Sequence, residues 1–191
     1  MIKYLMLAAA LVLTACGQTS DNSVMSEIEK ADKADAARQA AAAQAAEQAS
    51  AGNAAFLASV RAQPGVQALP SGLLLEFKHH SSAANLPRPT AAAQVLVHYE
   101  GKLSNGQIFD SSFQHGQPVA FPLNGVVDGF AEAIEHMRPG DEVIATMPPE
   151  LGYGANGQPP VIPPNAALQF RIILLALQEP GGQPVRAPQH G

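Results

Sequence analysis

The stretch that most constrains the fold is residues 151–164, Leu-Gly-Tyr-Gly-Ala-Asn-Gly-Gln-Pro-Pro-Val-Ile-Pro-Pro. Four prolines and three glycines in fourteen positions exclude a helix or a strand and predict a loop. Tyr153 and the pair Val161-Ile162 are too apolar for a solvated linker. Strand-like runs at 142–147 and 168–177 flank the loop. We therefore expect a loop that is held by a sheet at both ends, folds over a ligand and forms one wall of an apolar pocket.

The segments on either side of residue 106 carry the signals of antiparallel strands. Val95, Val97 and Tyr99 share one face at period two, and Asn105-Gly106 is the strongest short-range hairpin signal. Further strands are expected at 73–78 (as an edge strand), 109–113 and 119–123. One short helix is predicted from Asp128, as its N-cap, with apolar residues at i, i+3, i+4 and i+7. The pattern is that of an α+β domain.

The N-terminus has the pattern of a lipoprotein signal. A positive start is followed by an apolar run at residues 4–13, which suits a signal-peptide core and is short for a permanent transmembrane helix. Leu13-Thr14-Ala15-Cys16 resembles a bacterial lipoprotein processing box, which implies cleavage before Cys16 and lipidation of its thiol. Gly17 follows instead of aspartate, which points to the outer membrane, facing the periplasm or the cell surface. The alternative is a soluble secreted protein with an incidental cysteine.

An alanine-rich segment follows a polar tether at residues 17–24. Twelve of the twenty-one residues from 31 to 51 are alanine, the best helix former, and none is glycine or proline. The segment has no large apolar residue after Ile28, so it cannot build a core. We expect a helix that ends or is re-capped at Gly52-Asn53 and serves as a semi-rigid spacer. A homodimer through this helix and partial disorder are the alternatives.

Composition excludes several function classes. The net charge of −5 and the lack of a basic cluster argue against nucleic acid as a partner. One cysteine cannot form an intrachain disulfide. The histidines show no metal-ligand spacing, and 152–157 lacks the Lys-Ser/Thr of a phosphate loop. We expect neither a metal nor another cofactor.

Four motifs together point to a family. They are Val97-His98-Tyr99-Glu100-Gly101, Gly106-Gln107-Ile108-Phe109-Asp110-Ser111-Ser112, Val126-Val127-Asp128-Gly129-Phe130, and Leu151-Gly152-Tyr153-Gly154 with Ile162-Pro163-Pro164. In this order and spacing the chain resembles an FKBP-type peptidyl-prolyl cis-trans isomerase over residues 85–178. The residues before it resemble the N-terminal extension of the macrophage infectivity potentiator branch. The resemblance implies a twisted antiparallel β-sheet wrapped around one short α-helix, preceded here by the alanine-rich helix.

The resemblance also implies a pocket for a substrate proline. Its expected residues are Tyr99, Phe109, Asp110, Val119, Phe121, Val126, Val127, Phe130, Tyr153, Val161, Ile162 and Phe170. Phe130 would form the floor, where many relatives have tryptophan, and Val119 stands where many have phenylalanine. The N–H of Val127 and the hydroxyl of Tyr153 are the expected donors to substrate carbonyls. Asp110 is expected to engage the polarised carbonyl or to orient Tyr99.

The function that this resemblance implies is isomerisation of X–Pro bonds in Pro-containing peptides and unfolded envelope proteins, without a cofactor. A macrolide of the rapamycin type is an implied inhibitor. The alternative from another class is a non-catalytic holdase or binding module that grips Pro-containing segments, and the family branch also suggests a surface virulence factor.

The expected organisation has five segments. They are a signal peptide (1–15), the lipidated cysteine with tether and alanine-rich helix (16–52), an N-terminal extension with an edge strand (53–84), the isomerase domain (85–178) and a disordered tail (179–191).

Overall fold

The computed structural model describes the backbone of residues 21–188 and the side chains of residues 29–188 except 42, 45 and 46. The predicted signal peptide and the predicted lipidation site, Cys16, lie outside the described residues. The chain divides into two units, residues 1–44 and residues 45–191. In chain order the elements are α1 (Asp21–Arg61), β1 (Val66–Ala68), β2 (Leu74–His79), β3 (Gln94–Leu103), β4 (Ile108–Ser111), α2 (Ser112–His115), β5 (Val119–Pro122), α3 (Asp128–Glu135), β6 (Glu142–Met147), β7 (Leu168–Gln178) and β8 (Val185–Arg186), with short 3₁₀ turns at Leu123–Gly125 and Pro149–Leu151.

The alanine-rich segment is helical, as predicted, but the expected break at Gly52-Asn53 is wrong. α1 continues through both residues to Arg61, because Asn53 gains hydrogen bonds to later parts of the chain that outweigh its low helix propensity. Residues 21–24, inside the expected tether, are also helical. Gly65, with φ 84°, follows its end. None of the described helices is long and apolar enough to cross a membrane.

An antiparallel sheet forms the body of the second unit. Its strand order is β1-β2-β6-β7-β3-β4, with β5 on the first half of β3 and β8 on the end of β7. β3 is the central element, because it pairs with β7 along its whole length, with β5 through residues 94–97 and with β4 through residues 100–102. β4, β5 and β7, which carry five of the predicted pocket residues, therefore converge on β3.

The core lies between one face of the sheet and α3. Val95, Val97 and Tyr99 are buried on the inner face of β3, which confirms the period-two prediction. The apolar stripe that the sequence predicts is buried. Phe130, Ala133 and Ile134 lie on α3, and Met137 lies just after its end. The α+β prediction, a sheet with one short packed helix, is confirmed.

Four local predictions in this unit need correction. β2 is not an edge strand, because the chain reverses at Gly72 (φ 96°) and β1 pairs with β2 on its outer side. The tail is not disordered over its described part, since β8 pairs with the portion of β7 that extends past β6. Phe113, expected on a strand, lies in the one-turn helix α2. Val127 occupies the N-cap position of α3, so Asp128 is its first residue instead of its cap.

Candidate functional site

A cavity of about 400 Å³ opens between α3, the inner face of the sheet and the loop at 151–164. We call this loop, residues 151–164, the flap. Nine of the predicted pocket residues line the cavity, together with one glycine: Tyr99, Phe109, Asp110, Phe121, Gly125, Val126, Val127, Phe130, Tyr153 and Phe170. The lining is thus mainly aromatic, with polar atoms supplied by two hydroxyls, one carboxylate and backbone.

Phe130 forms the floor of the cavity, as predicted. Its ring centroid lies 5.2 Å from that of Phe170, 6.0 Å from that of Tyr99 and 6.1 Å from that of Phe121. All three contacts are edge-to-face, the arrangement that the aromatic quadrupole favours. Phe109 continues the series through an edge-to-face contact with Phe170 at 5.5 Å. The floor and walls are therefore a connected aromatic surface in which each ring fixes the orientation of the next.

Gly101 makes this aromatic surface possible, and it is not among the residues that the sequence predicts for the pocket. A Cβ atom at this position of β3 would lie 2.5 Å from Cζ of Phe109 and 2.8 Å from Cε1 of Phe170. A glycine inside a strand weakens it and commonly marks a place where another group approaches closely. That signal was present in the sequence, but it does not reveal which side chains fill the space.

Asp110 and Tyr99 form the polar rim of the cavity. The Tyr99 hydroxyl donates a hydrogen bond of 2.5 Å to Oδ2 of Asp110, so the predicted pairing of these residues is present. Burial raises the pKa of Tyr99 far above its usual value, and the hydrogen bond to Asp110 adds to the shift. Burial also raises the pKa of Tyr153, with a further contribution from the Asp110 charge. Both phenols therefore remain neutral hydrogen-bond donors at physiological pH.

Ser112 holds the backbone of Tyr99 in place. Its hydroxyl accepts a hydrogen bond from the Tyr99 N–H at 2.8 Å and lies 3.2 Å from the Tyr99 carbonyl oxygen, to which it donates. The same hydroxyl is 3.0 Å from Nδ1 of His98, whose ring stacks on Phe113 outside the cavity. His98 is thus a structural residue, in agreement with its predicted role.

Val126 and Val127 lie at the start of α3, on the side of the cavity opposite the sheet. The Val127 carbonyl oxygen accepts hydrogen bonds from the N–H groups of Phe130 and Ala131 at 3.0 and 3.1 Å. The Val127 N–H has no acceptor within residues 21–188. It is therefore available to a bound carbonyl group, and its role as a donor to substrate stays a prediction.

The predicted residues Val119, Val161 and Ile162 do not line this cavity. Val119 pairs with Val97 at the sheet and is half-buried beside the core. It shares the half-buried face of β5 with Phe121, but only Phe121 reaches the cavity. Val161 and Ile162 line an adjoining cleft of about 250 Å³, which shares Phe109, Asp110 and Tyr153 with the main cavity. The flap therefore separates two spaces, and Tyr153 faces both.

Within residues 21–188, no three His, Cys, Asp or Glu side chains are grouped so that they could hold a metal ion. What the cavity offers is an apolar, mostly aromatic volume with neutral hydrogen-bond donors at its edge. This arrangement can desolvate and orient a small apolar ring attached to a peptide backbone.

Comparison with known proteins adds to this geometry. A family model described as FKBP-type peptidyl-prolyl cis-trans isomerase matches residues 87–175, and a model of the domain amino-terminal to it matches residues 5–76. The crystal structure of a peptidyl-prolyl cis-trans isomerase from Pseudomonas syringae is 34% identical, with a TM-score of 0.64, over 70% of this chain and 96% of that one. This chain belongs to the FKBP-type peptidyl-prolyl cis-trans isomerase family.

Other members of the FKBP-type family resemble the chain over a similar region. Peptidyl-prolyl cis-trans isomerase Mip from Coxiella burnetii is 41% identical over 125 residues, which are 65% of this chain and 53% of that protein. The structure of FkpA from Escherichia coli is 28% identical, with a TM-score of 0.71, over 85% of this chain and 75% of that one. The chain spans about half the length of curated relatives such as Mip and the FkpA of Aeromonas hydrophila.

Proposed function

We propose that this protein is a peptidyl-prolyl cis-trans isomerase that accelerates rotation about X–Pro bonds in peptides and unfolded proteins. The observation that carries the proposal is the aromatic cavity, with Phe130 at its floor and neutral donors at its rim. A cavity of about 400 Å³ accommodates a prolyl ring with the backbone on either side. Family membership supports the same reaction.

The chemistry needs no nucleophile. Rotation about a peptide C–N bond crosses a barrier of about 18–20 kcal/mol because that bond has partial double-bond character. In the twisted state the nitrogen lone pair is localised and the charge separation is smaller, so an apolar cavity that excludes water favours that state over the planar one. The rings of Phe121, Phe130 and Phe170 supply this environment.

The polar atoms at the rim position the substrate. In the proposed complex the Tyr153 hydroxyl and the Val127 N–H donate hydrogen bonds to substrate carbonyl oxygens, on opposite sides of the cavity. Asp110 holds the Tyr99 hydroxyl and lies close to the carbonyl that precedes the proline. Because no proton is transferred, the role of Asp110 is electrostatic and orienting, and a fixed geometry accounts for the rest of the rate.

The Phe121→Ala and Phe113→Ala variants form a matched pair for testing this function. Phe121 is half-buried in the cavity wall, whereas Phe113 is 37% exposed and stacks on His98 away from it. We expect Phe121→Ala to lower kcat/KM for a proline-containing peptide by about tenfold, and Phe113→Ala to leave it within twofold. Equal activity of both variants and wild type, or no activity in the wild type, would contradict the proposal.

We further propose that the protein is attached to the bacterial outer membrane by lipid on Cys16 and faces the periplasm or the cell surface. The support is the sequence pattern of residues 1–17. Since each buried CH₂ contributes about 0.8 kcal/mol, several acyl chains on one residue hold a protein stably at a membrane. Mass spectrometry of the N-terminal peptide from membrane fractions tests this directly. Cys16→Ala should move the protein to the soluble fraction, and membrane retention of this variant would refute lipid attachment at Cys16.

A macrolide of the rapamycin type is proposed to compete with substrate for the aromatic cavity. Phe130 presents an apolar face there, but a smaller one than tryptophan does. Titration of the macrolide into wild type and Phe121→Ala should give weaker binding to the variant.

The oligomeric state stays a prediction. Described side chains within residues 29–41 of α1 are exposed in the single chain, and sedimentation distinguishes a spacer helix from a dimerising one.

A further inference from the structure

We propose that Asn53, on α1, is a positioning residue for Tyr153 and acts through the end of the flap. The kinetic part of this inference rests on the proposed isomerase function, whereas the contacts that carry it belong to the fold. All the residues involved lie within the second unit, residues 45–191.

Asn53 is the first buried residue along α1 among the described side chains. It is 8% exposed, while every described residue from 29 to 52 is exposed. Its Nδ2 donates a hydrogen bond to the carbonyl oxygen of Asn165, and its Oδ1 accepts one from the Ser104 hydroxyl at 3.3 Å. A buried amide is costly unless its polar atoms are paired, so this side chain favours one arrangement of the segments that it joins.

The bond to Asn165 leads directly to Tyr153. Asn165 has φ 55°, a left-handed conformation that asparagine adopts more readily than most residues. In that conformation its N–H donates a hydrogen bond of 2.9 Å to the carbonyl oxygen of Gly154, the residue that follows Tyr153. The Tyr153 carbonyl oxygen in turn accepts from the Gly157 N–H at 3.1 Å. Two consecutive hydrogen bonds therefore connect the Asn53 amide to the backbone beside Tyr153.

Packing between α1 and the flap is interrupted at two places. Two clefts, of about 350 and 370 Å³, lie on either side of Asn53. One contains Pro163 and Pro164 at the end of the flap, and the other contains Pro148 and Pro149 just before its start. Apolar contact is therefore interrupted around Asn53, and its hydrogen bond to Asn165 is a polar link from α1 to the residue that follows the flap.

Amide hydrogen exchange measured by NMR on the full chain tests the contact. The variants are Asn53→Ala, which removes both bonds, and Asn53→Asp, which keeps the size and the bond from Ser104 but cannot donate to Asn165. Ser59→Ala is the matched control, because the Ser59 hydroxyl bonds only within α1, to the Phe56 carbonyl oxygen. We expect the exchange of the Asn165 and Gly157 amides to rise about tenfold in both Asn53 variants and to stay unchanged in Ser59→Ala.

A double-mutant cycle with Tyr153→Phe tests the functional consequence. If Asn53 acts by placing the Tyr153 hydroxyl, Asn53→Ala should lower kcat/KM about three- to tenfold in the wild type. In the Tyr153→Phe background it should have almost no further effect, because the group that it positions is gone. A general loss of structure would instead lower kcat/KM by the same factor in both backgrounds.

The outcomes separate the two proposals. Unchanged exchange of the Asn165 and Gly157 amides in Asn53→Ala and Asn53→Asp overturns the positioning role, whatever the enzyme activity. Additive kinetic effects overturn the link to Tyr153. A wild-type protein without isomerase activity refutes the proposed function, and the exchange experiment still decides whether Asn53 holds the flap.

Discussion

The floor of the cavity and the flap above it differ in how they are held. Phe130 and Phe170, at the floor, are 4% and 5% exposed and lie on a helix and a strand that also build the core. On the flap, only Ile162 is buried in the core. Val161 is 46% exposed, and backbone hydrogen bonds such as Gly157 N–H to the Tyr153 carbonyl maintain the loop. The floor is therefore positioned by the same apolar burial that folds the domain, whereas the flap is held by one buried side chain and a set of backbone hydrogen bonds.

This difference predicts how substitutions will behave. A change at the floor should alter the free energy of unfolding and the activity together, because one set of contacts serves both. A change on the flap should alter activity with little effect on stability.

The largest effect is expected for Phe130→Ala. Removing a buried phenylalanine that contacts three other rings should lower the free energy of unfolding by about 3–5 kcal/mol and kcat/KM by about a hundredfold. Urea unfolding and a peptide assay at a temperature where the variant is folded measure the two quantities. If the variant lost stability but kept wild-type turnover, Phe130 would serve only as a core residue and not as part of the site.

Gly101→Ala should have the next largest effect. The added methyl would clash with Phe109 and Phe170, and relieving that overlap should cost about 1–3 kcal/mol of stability while it displaces the aromatic wall. Gly52→Ala is the control, because a Cβ there meets nothing within 4 Å. In α1 this control should stabilise the protein by about 0.5–1 kcal/mol. Similar behaviour of the two variants would contradict the packing role of Gly101.

Tyr153→Phe tests the flap. The substitution removes one hydroxyl from a half-buried ring, so the free energy of unfolding should change by less than about 0.5 kcal/mol. The value of kcat/KM should nevertheless fall about three- to tenfold, since a hydrogen bond to substrate is lost. A stability loss comparable to that of Phe130→Ala would remove the distinction between floor and flap.

The smallest effect is expected from pH, through Tyr99 at the rim. Its pKa is raised above the usual value of 10.0 in the folded protein, so the folded state holds this proton more tightly than the unfolded state. The resulting stability is fully present below pH 10 and is lost as pH rises above it. Unfolding measured at pH 9 and at pH 11 should therefore show a decline that Tyr99→Phe reduces. An equal decline in wild type and variant would show that Tyr99 does not contribute.

The floor was more predictable from sequence than the flap. Period-two burial places Tyr99 on the inner face of β3, and the helical stripe places Phe130 against the core, so both positions follow from local patterns. The role of Gly101 does not follow from such a pattern. Period-two alternation identifies a strand, but it does not show which aromatic rings occupy the space beside a glycine. Val119 differs from the expectation because period-two alternation puts Val119 and Phe121 on the same face of β5 and does not show which of the two reaches the cavity.

Long-range hydrogen bonds account for most of the remaining errors. Helix propensity alone predicts a break at Gly52-Asn53. The break does not occur, because the Asn53 side chain bonds to the carbonyl oxygen of Asn165, more than a hundred residues later. In the same way, the polar tail forms β8 because β7 leaves an open edge beyond β6. Local sequence contains neither partner.

NMR exchange spectroscopy of a proline-containing peptide with the protein gives the most direct test of the account. One set of spectra reports both the exchange between cis and trans peptide and the contacts of the prolyl ring with protein protons. We expect accelerated exchange together with contacts from the prolyl ring to Phe130 below it and to Tyr153 on the flap. Unaccelerated exchange, or accelerated exchange with the prolyl ring in contact with neither residue, would contradict it.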